Sequence, residues 1–318
     1  MQVSDIEFKS ADHVLQEIRD MNVKGGSPFG RAAAWAYRLA CEQERFPSVE
    51  ALLARCEDLA SQMHELKPTM ATINNSSSLV CEYVRAHPER DVETVAAGVV
   101  RLCGNIIESS LAAVERLGSF GGERIPDGGT VLMHSYSSSL MGCFEAAAAS
   151  GKRFTVICTE SRPLRESRLA VDVLHRLGQH VVYITDAEVY EFMRHADLVI
   201  MGADSLASDG GVANKMGTAM IARLARSMGI PVYIASELYK YDERTLRGRA
   251  IELERRDASE IVSEGDFRLG EPEVINQFFD VTPATDVTAI VCEHGFIAPA
   301  SVSLHWEQLK DELMKGVM

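Results

Sequence analysis

The 318-residue sequence lacks the marks of several classes of protein. Its seven cysteines include no Cys-x-x-Cys pair and no Cys/His spacing of the kind that holds zinc, so we expect reduced, buried thiols and no metal. No apolar run is long enough to cross a bilayer, and the first ten residues are too acidic for a secretory signal. These absences predict a cytoplasmic protein with no membrane partner.

Positive charge is also scarce. The chain has 32 Lys and Arg against 46 Asp and Glu, which leaves a net charge of −14. Phosphate backbones repel such a chain, so nucleic acid is not expected as a partner. A small anionic ligand stays compatible with this charge, provided that its cationic contacts are local.

The hydrophobic pattern changes at the turn Ile125-Pro126-Asp127-Gly128-Gly129. Before this turn, apolar residues recur at helical spacing, which predicts helices over 11–21, 31–41, 48–66 and 91–117. After it, short apolar strands alternate with helices, a pattern that is typical of parallel βαβ units. We therefore predict an α/β fold, with a helical N-terminal domain over 1–125 and a Rossmann-like parallel-sheet domain over 126–318.

The elements of the second domain follow from the same patterns. Strands are predicted over 130–134, 154–159, 181–185, 198–201, 231–235 and 289–292. Helices are predicted over 140–150, 165–177, 188–195, 214–228 and 301–313. Residues 242–280 are charged and irregular, and we expect them to form an excursion with a short hairpin.

A Gly-x-Gly-x-x-Gly motif is missing after the first strand of this domain, which argues against a dinucleotide site. The segment there is His134-Ser135-Tyr136-Ser137-Ser138-Ser139. A Ser-rich turn between a strand and a helix can still hold phosphate through hydroxyls and backbone NH groups, with Ser137 as a candidate. His134 ends a buried strand, which favours a hydrogen-bonded core histidine over a titrating one.

Polar residues collect where the strands end, and open α/β sheets bind ligands at the carboxyl ends of their strands. Asp204 follows the fourth strand and the small residues Gly202-Ala203, and it is interpreted as a general acid or base. Asn214 and Lys215 are predicted to open the next helix, whose N-terminus would suit a phosphate. The plainer alternatives are a turn aspartate, a helix cap and a solvated lysine.

Other cationic segments have two interpretations each. Arg162 could clamp a phosphate or pair with Glu160. Lys240, between two tyrosines, could reach a phosphate or lie on the surface with a buried stem. Lys24-Gly25-Gly26 could form a loop that binds phosphate, or a plain turn. Lys67 could bind phosphate or simply end a helix, because a lysine at a helix C-terminus interacts favourably with the helix dipole.

Seven segments in order resemble the translation initiation factor 2B alpha/beta/delta family, which includes ribose-1,5-bisphosphate isomerase and methylthioribose-1-phosphate isomerase. The resemblance covers nearly the whole chain and is strongest to the ribose-1,5-bisphosphate isomerase branch. The segments are Met21-Asn22-Val23-Lys24-Gly25-Gly26, Lys67-Pro68-Thr69, Thr159-Glu160-Ser161-Arg162-Pro163, Met201-Gly202-Ala203-Asp204-Ser205, Asn214-Lys215-Met216-Gly217-Thr218, Glu237-Leu238-Tyr239-Lys240 and Phe279-Asp280-Val281-Thr282-Pro283.

The resemblance implies a pocket for a phosphorylated sugar without metal or cofactor, and a homodimer with a hexamer as the higher assembly. It implies that Asp204 is the catalytic aspartate. It also assigns substrate binding to the Asn-Lys pair, to the lysine of the Glu-x-x-Lys segment and to basic segments of the helical domain. With Ser137 and Arg162, the predicted substrate-binding residues are Lys24, Gly25, Gly26, Lys67, Ser137, Arg162, Asn214, Lys215 and Lys240.

One departure from the family concerns the reaction. The isomerases carry a catalytic cysteine directly after the histidine that ends the first strand, and this chain has Ser135 there. A thiol with a pKa of about 8.5 can supply a thiolate base near neutral pH, whereas a serine hydroxyl needs an activator. Cys143, in the next helix, and Cys158, inside a strand, are not obvious substitutes. Ser138 stands where the enzymes carry a lysine.

Two functions agree with this sequence. The first is isomerisation of an aldose phosphate to a ketose phosphate, with Asp204 as the acid and base and Ser135 at the cysteine position. The second is a non-catalytic regulatory protein that binds a sugar phosphate or a nucleotide, as in the alpha subunit of translation initiation factor 2B. Asp204 favours the first and Ser135 the second. The identity of the sugar depends on the shape of the pocket.

Overall fold

The computed structural model describes residues 6–23, 25–270 and 272–317. They form two compact units, each made of separate stretches of chain. The first unit contains the residues up to Ala113, Leu238–Ala250 and the segment from Ser303 onward; the second contains Val114–Glu237 and Ile251–Val302. The sequence predicted two continuous domains that divide near residue 125, whereas the compact units divide inside a helix, and the first unit includes two later segments.

The first unit is built of helices, as predicted. Ser10 and Ser48 cap two of them, because their hydroxyls accept hydrogen bonds from the backbone amides of His13 and Ala51, at 3.1 and 3.3 Å. The helices are α1 (Ala11–Arg19), α2 (Gly26–Gln43), α3 (Val49–Leu66), α4 (Ala71–Arg85), α5 (Val92–Arg124, which continues into the second unit) and α10 (Val302–Leu313).

Helix α4 was not predicted, because its small polar residues, such as Asn75 and Ser76, favour turns over helix interiors. The structure buries both side chains. The Asn75 amide donates to the carbonyl oxygens of Tyr239 and Tyr241, at 2.9 and 2.7 Å, and the Ser76 hydroxyl lies 2.9 Å from the Tyr239 hydroxyl. Helix α4 therefore uses a polar face to hold the chain segment that follows Leu238.

Helix α5 has the length and apolar composition of a helix that could cross a membrane, which the sequence analysis did not expect. Val95, Val99, Leu102 and Ile106 form one stripe along it and are at most 1% exposed. Such a stripe at helical spacing packs against the rest of the protein, as a core helix does.

The second unit contains a sheet with the strand order β12-β11-β7-β4-β1-β2-β3, which is parallel apart from β12. All six predicted strands are present in it; the short antiparallel strand β12 was not predicted. The strands are β1 (Thr130–Met133), β2 (Thr155–Thr159), β3 (His180–Ile184), β4 (Leu198–Gly202), β7 (Val232–Ala235), β11 (Ala289–Cys292) and β12 (Gly295–Ile297). The helices between them are α6 (Ser138–Ala149), α7 (Ser167–Arg176), α8 (Val189–Met193) and α9 (Thr218–Ser227).

The strand order reverses at β1. The chain runs from β1 to β2 and β3 on one side and then returns to β4 on the other side of β1. Such a reversal opens a crevice at the carboxyl ends of the two central strands, which is where open α/β sheets bind ligands. Apolar side chains on one face of these strands, including Val131, Met133 and Ile200, pack with Phe144 of α6 in the core that fixes their positions.

The predicted helix that begins at Asn214 is wrong at its start. Asn214 and Lys215 end a strand, β6 (Val212–Lys215), and α9 begins only at Thr218, after Gly217 with a φ of 109°. Strand β6 lies between β5 (Ser205–Leu206) and β10 (Phe279–Thr282) in a separate three-stranded antiparallel sheet. The expected short hairpin is present, as β8 (Arg255–Arg256) pairs with β9 (Asn276–Gln277).

Candidate active site

The site forms where β1 and β4 end, at the reversal of the strand order. His134 and Ser135 follow β1, and Asp204 follows β4 within two residues. The backbone amide of Asp204 donates to the carbonyl oxygen of Ala213, at 2.9 Å, so the loop after β4 is joined to β6 at its start. The main sheet and the three-stranded sheet thus meet at Asp204.

Strained backbone marks this edge of the sheet. Ser135 follows β1 with a φ of 65°, and Ser161 and Arg165 follow β2 with φ values of 59° and 58°. Residues other than glycine rarely adopt this left-handed conformation, and it persists at functional sites when surrounding contacts enforce it. At Ser135 the backbone amide donates to the Ser161 hydroxyl at 2.7 Å, and the carbonyl oxygen accepts from the Ser167 hydroxyl at 3.3 Å.

His134 is a buried, hydrogen-bonded histidine, as predicted. Its Nε2 lies 2.9 Å from the carbonyl oxygen of Met216, and its Nδ1 lies 2.6 Å from the Thr159 hydroxyl. Burial lowers the pKa of the imidazole, which favours the neutral ring. Because a carbonyl can only accept, the single ring proton belongs on Nε2, and Thr159 donates to Nδ1.

Asn214 lies in the middle strand of the three-stranded sheet, paired with Asp280 of β10. Its amide nitrogen donates to the hydroxyl of Thr218, the first residue of α9, at 2.9 Å. Asn214 is therefore not the cap of α9, which is Gly217, because its side chain donates to a hydroxyl and does not accept from a backbone amide of the helix. Asn214 is 5% exposed, so this contact fixes the amide in the protein interior.

Lys215 is not a solvated lysine, because only 3% of it is exposed. Its ammonium lies 2.5 Å from Oε1 of Glu166 and 3.0 Å from the centre of the Phe278 ring. Burial lowers the pKa of Lys215, and the carboxylate of Glu166 opposes that effect. A cation thus lies inside the second unit, and Asp204 is one of the acidic groups whose charge acts on it.

Several buried polar atoms of the described structure lack a well-aligned hydrogen bond here, among them Ser137 Oγ, Glu166 Oε2 and Lys215 Nζ. Buried polar atoms normally have such partners, so an unsatisfied group at a strand-end crevice is suited to a polar ligand. Gly202 is needed beside them, since a Cβ there would lie 2.7 Å from Ser137 Cβ and 3.0 Å from Ser137 Oγ.

The start of α9 is not an open phosphate site, contrary to the sequence analysis. The Asp280 carboxylate accepts hydrogen bonds from the backbone amides of Gly217 and Ala219, at 2.7 and 3.2 Å. These amides are the groups that an anion at a helix N-terminus would use. Desolvation raises the pKa of Asp280 to about 6.

Arg162 does not form the ion pair that was considered for it. Glu160 pairs with Arg165 instead, at 3.3 Å. The exposed Arg162 side chain donates to the carbonyl oxygen of Ile261 at 3.2 Å, and its backbone amide donates to Asp186 at 2.8 Å. A role for Arg162 in phosphate binding stays a prediction.

The other predicted residues lie in the first unit, and Lys24 lies outside the described residues. Gly25 has a φ of 94° and caps α2, and the carbonyl oxygen of Gly26 accepts from Thr72 at 2.7 Å. Lys67 ends α3, as its plainer interpretation predicted. Lys240 is 4% exposed, which excludes a surface lysine.

Three contributing residues were missed from the sequence. Glu166 stands before a helix like any surface glutamate, Phe278 precedes a short strand, and Asp280 looked only like a member of a family segment. Each acts through a contact with a residue far along the chain, 49 residues or more away in sequence. The one local signal is for Asp280, an acid in a segment that resembles the family.

The fold and site define an α/β protein with an acid and a buried cation at the switch point of a parallel sheet. A family model for the initiation factor 2 subunit family matches residues 22–299. The chain belongs to that family.

Relatives that bear the names of two different isomerases match most of the chain. It is 31% identical to ribose 1,5-bisphosphate isomerase from Thermococcus kodakarensis over 92% of each chain. It is 33% identical to methylthioribose-1-phosphate isomerase from Syntrophotalea carbinolica, over 92% of this chain and 89% of that protein. Among solved structures, translation initiation factor eIF-2B from Pyrococcus horikoshii superposes with a TM-score of 0.76 at 29% identity, covering 91% of this chain and 97% of that one.

Proposed function

We propose that the protein is an intramolecular oxidoreductase that converts a phosphorylated aldose into the corresponding ketose phosphate. The ribose 1,5-bisphosphate to ribulose 1,5-bisphosphate reaction is the template, because relatives at 31 and 33% identity bear the name of that isomerase. The observation that carries the proposal is the buried Lys215 ammonium, which has an ion pair but no aligned hydrogen bond and lies in the same small sheet as Asn214.

The chemistry requires an acid and a base. In an aldose 1-phosphate the phosphate locks the anomeric oxygen, so the ring opens only if an acid protonates the ring oxygen. Asp204 supplies that proton. A base then removes the proton from C2, and the resulting enol takes up a proton at C1 as the C2 hydroxyl loses its own. Alternatively, C2 passes a hydride to C1 as its hydroxyl loses a proton. Ser135 stands where the related enzymes have a thiol for this step.

Substrate binding in the second unit falls to Asn214, Lys215 and Ser137. A phosphate next to Lys215 would accept hydrogen bonds from those N–H groups of the ammonium that do not face Glu166. The roles of Lys24, Gly25, Gly26, Lys67, Arg162 and Lys240 in holding the substrate stay part of the proposal, as do a homodimer, a hexamer as the higher assembly, and a cytoplasmic location.

The test is to incubate the protein with pentose 1-phosphates and pentose 1,5-bisphosphates and to follow ketose formation by NMR. Asp204→Asn should lower turnover by about 10²- to 10⁴-fold, because it removes the proton donor. Asp209→Asn is the matched control, since Asp209 lies in the next turn, between β5 and β6, where its carboxylate accepts a hydrogen bond from the backbone amide of Gly211 at 2.8 Å. Turnover that survives unchanged in Asp204→Asn would contradict the assigned role.

A regulatory protein that binds a sugar phosphate or a nucleotide is the second candidate, and Ser135 favours it. Neither Cys143 nor Cys158 is a ready substitute for the missing thiol, because burial raises the pKa of both to about 12. A thermal shift with sugar phosphates or nucleotides and no ketose formation with any pentose phosphate would support this candidate over the isomerase.

A further inference from the structure

The segment Glu166-Ser167 is joined to the site by three contacts, one made by Glu166 and two by Ser167. Oε1 of Glu166 lies 2.5 Å from the Lys215 ammonium. The next residue, Ser167, donates a hydrogen bond to the carbonyl oxygen of Ser135 and shares another with Ser161. Because α7 begins at Ser167, the backbone of this segment is fixed and directs the Glu166 carboxylate toward Lys215.

Lys215 is held from several sides. The Phe278 ring covers the ammonium, and the guanidinium of Arg256 lies 4.3 Å from the centre of the same ring. Burial and the positive charge of Arg256 both disfavour an ammonium here, whereas Glu166 and Asp204 favour it. His134 adds no charge in its neutral form. Among the acids, Glu166 acts most strongly on Lys215 and is the one in direct contact.

We propose that Glu166 is a positioning residue, which keeps Lys215 in its charged form and fixes its ammonium against the Phe278 ring. Lys215 is 3% exposed, so its charge has lost most of its hydration, which costs free energy. Without the Glu166 carboxylate, little would offset that cost. The charge of Lys215 serves to bind a phosphorylated substrate, and this part of the inference rests on the proposed function. The pairing of Glu166 with Lys215 does not.

A double-mutant cycle in the protein without ligand tests the pairing. It uses Glu166→Gln, Lys215→Met and both together, each unfolded in urea between pH 6 and pH 10. At each pH, the free energy of unfolding of the variant with Lys215→Met is subtracted from that of the same protein with Lys215. The difference isolates the titration of Lys215. Because its folded pKa lies below the value in the unfolded chain, the unfolded chain binds more protons between the two, and stability rises with pH in that window.

The midpoint of this rise should move to lower pH in Glu166→Gln, by about 1 to 3 pH units. Glu166→Asp keeps the charge on a shorter arm and should give a smaller shift. Equal midpoints in the wild type and Glu166→Gln, or a coupling between the two sites that does not change from pH 6 to pH 10, would overturn the proposal.

The neighbouring pair of Glu160 and Arg165 is the matched control. The same cycle with Glu160→Gln and Arg165→Met should show a coupling that is constant from pH 7 to pH 10, because a guanidinium does not lose its charge in that range. A pH-dependent coupling in this control would mean that the midpoints do not report Lys215, and it would count against the proposal.

The functional consequence is tested with ribose 1,5-bisphosphate as the probe in binding calorimetry. The affinity for this sugar phosphate should fall as pH rises in both proteins. In Glu166→Gln the fall should begin at a lower pH than in the wild type. In the double variant Glu166→Gln with Lys215→Arg, that fall should disappear, because the guanidinium stays charged. A protein that binds none of this sugar phosphate would contradict the proposed function, while the urea cycle would still decide the role of Glu166.

Discussion

The carboxylate of Asp280 accepts a hydrogen bond from the backbone amide of Gly217, at 2.7 Å, and so closes the N-terminus of α9 from a neighbouring strand. The contact joins two parts of the second unit that are 63 residues apart in sequence. Asp280 also pairs with Asn214 across the small sheet. Asp280 therefore holds the strand that carries Asn214 and Lys215 through its backbone pairing, and the start of α9 through its carboxylate.

Replacement of Asp280 by asparagine should change how stability depends on pH. The folded pKa of Asp280 is about 6, above the value of about 3.9 in an unfolded chain. Between these values the native state binds more protons than the unfolded state, so the contribution of Asp280 to stability falls as pH rises through this window. The change is at most about 3 kcal/mol, and Asp280→Asn should remove it. Urea unfolding between pH 4 and pH 7 measures the difference.

Asp257→Asn is a control of opposite sign for that experiment. The exposed Asp257 carboxylate accepts hydrogen bonds from Ser259, which lower its pKa. Its contribution to stability should therefore be lost only as pH falls below about 3.9, so Asp257→Asn should leave the slope between pH 4 and pH 7 unchanged. A wild-type curve that runs parallel to the Asp280→Asn curve from pH 4 to pH 7 would contradict the raised pKa of Asp280.

Removal of the Thr159 hydroxyl should show what the shortest hydrogen bond of the His134 ring contributes. Thr159→Val leaves Nδ1 of the buried His134 with the 3.3 Å contact to the Ser161 hydroxyl in place of its 2.6 Å hydrogen bond, which should lower the free energy of unfolding by about 1–2 kcal/mol. Thr155→Val lies on the same strand and removes only an exposed, 3.5 Å contact with His180, so it should cost less than about 0.5 kcal/mol. Urea unfolding at pH 7.5 compares the two variants, and equal losses would argue against the ring assignment.

A methyl group at Gly202 should disturb the site through Ser137. The added Cβ would lie 2.7 Å from Ser137 Cβ, so Gly202→Ala should lower stability by about 1–3 kcal/mol through overpacking. Adding Ser137→Gly should restore most of the loss in urea unfolding. Gly104→Ala is the control, since its Cβ would meet nothing within 4 Å in helix α5 and should stabilise by up to about 1 kcal/mol. A loss in Gly202→Ala that Ser137→Gly leaves unchanged would point to a different cause.

The parallel strands and Asp204 could be predicted from the sequence because their signals are local. Each strand is a short apolar run, and a polar residue after it falls at the ligand-binding edge of the sheet. The position of Lys215 could not be predicted in this way. Lys215 belongs to β6 because it pairs with Phe279, the first residue of β10. The ten residues around Lys215 are equally compatible, by their local pattern, with the start of α9.

The same limit explains Glu166 and α4. A glutamate before a helix has many possible partners, and only the fold brings Glu166 to a lysine 49 residues later. Helix α4 has polar residues on a buried face because Asn75 bonds to the segment around Tyr239, so its local pattern favours turns. The partner of Glu166 and the helical state of α4 are therefore set by long-range contacts, which local sequence patterns do not show.

Replacement of Ser135 by cysteine should raise isomerase activity if a thiol base is the missing part. The substitution keeps the backbone hydrogen bonds to Ser161 and Ser167, so the left-handed turn should persist. If the wild type turns over a pentose phosphate, Ser135→Cys should increase kcat by about 10²-fold or more, and Ser135→Ala should not increase it. Both are measured by ketose formation under the same conditions.

The introduced thiol can be followed separately, because burial raises the pKa of every natural thiol. The pKa is about 11 for Cys81, about 12 for Cys41, Cys143, Cys158 and Cys292, and is also raised for Cys56 and Cys103. Alkylation by iodoacetamide as a function of pH, read by mass spectrometry, gives the pKa of the thiol at position 135. A value below about 8.5 with no gain in turnover would contradict the role assigned to the thiol, since a competent base would then be present without effect.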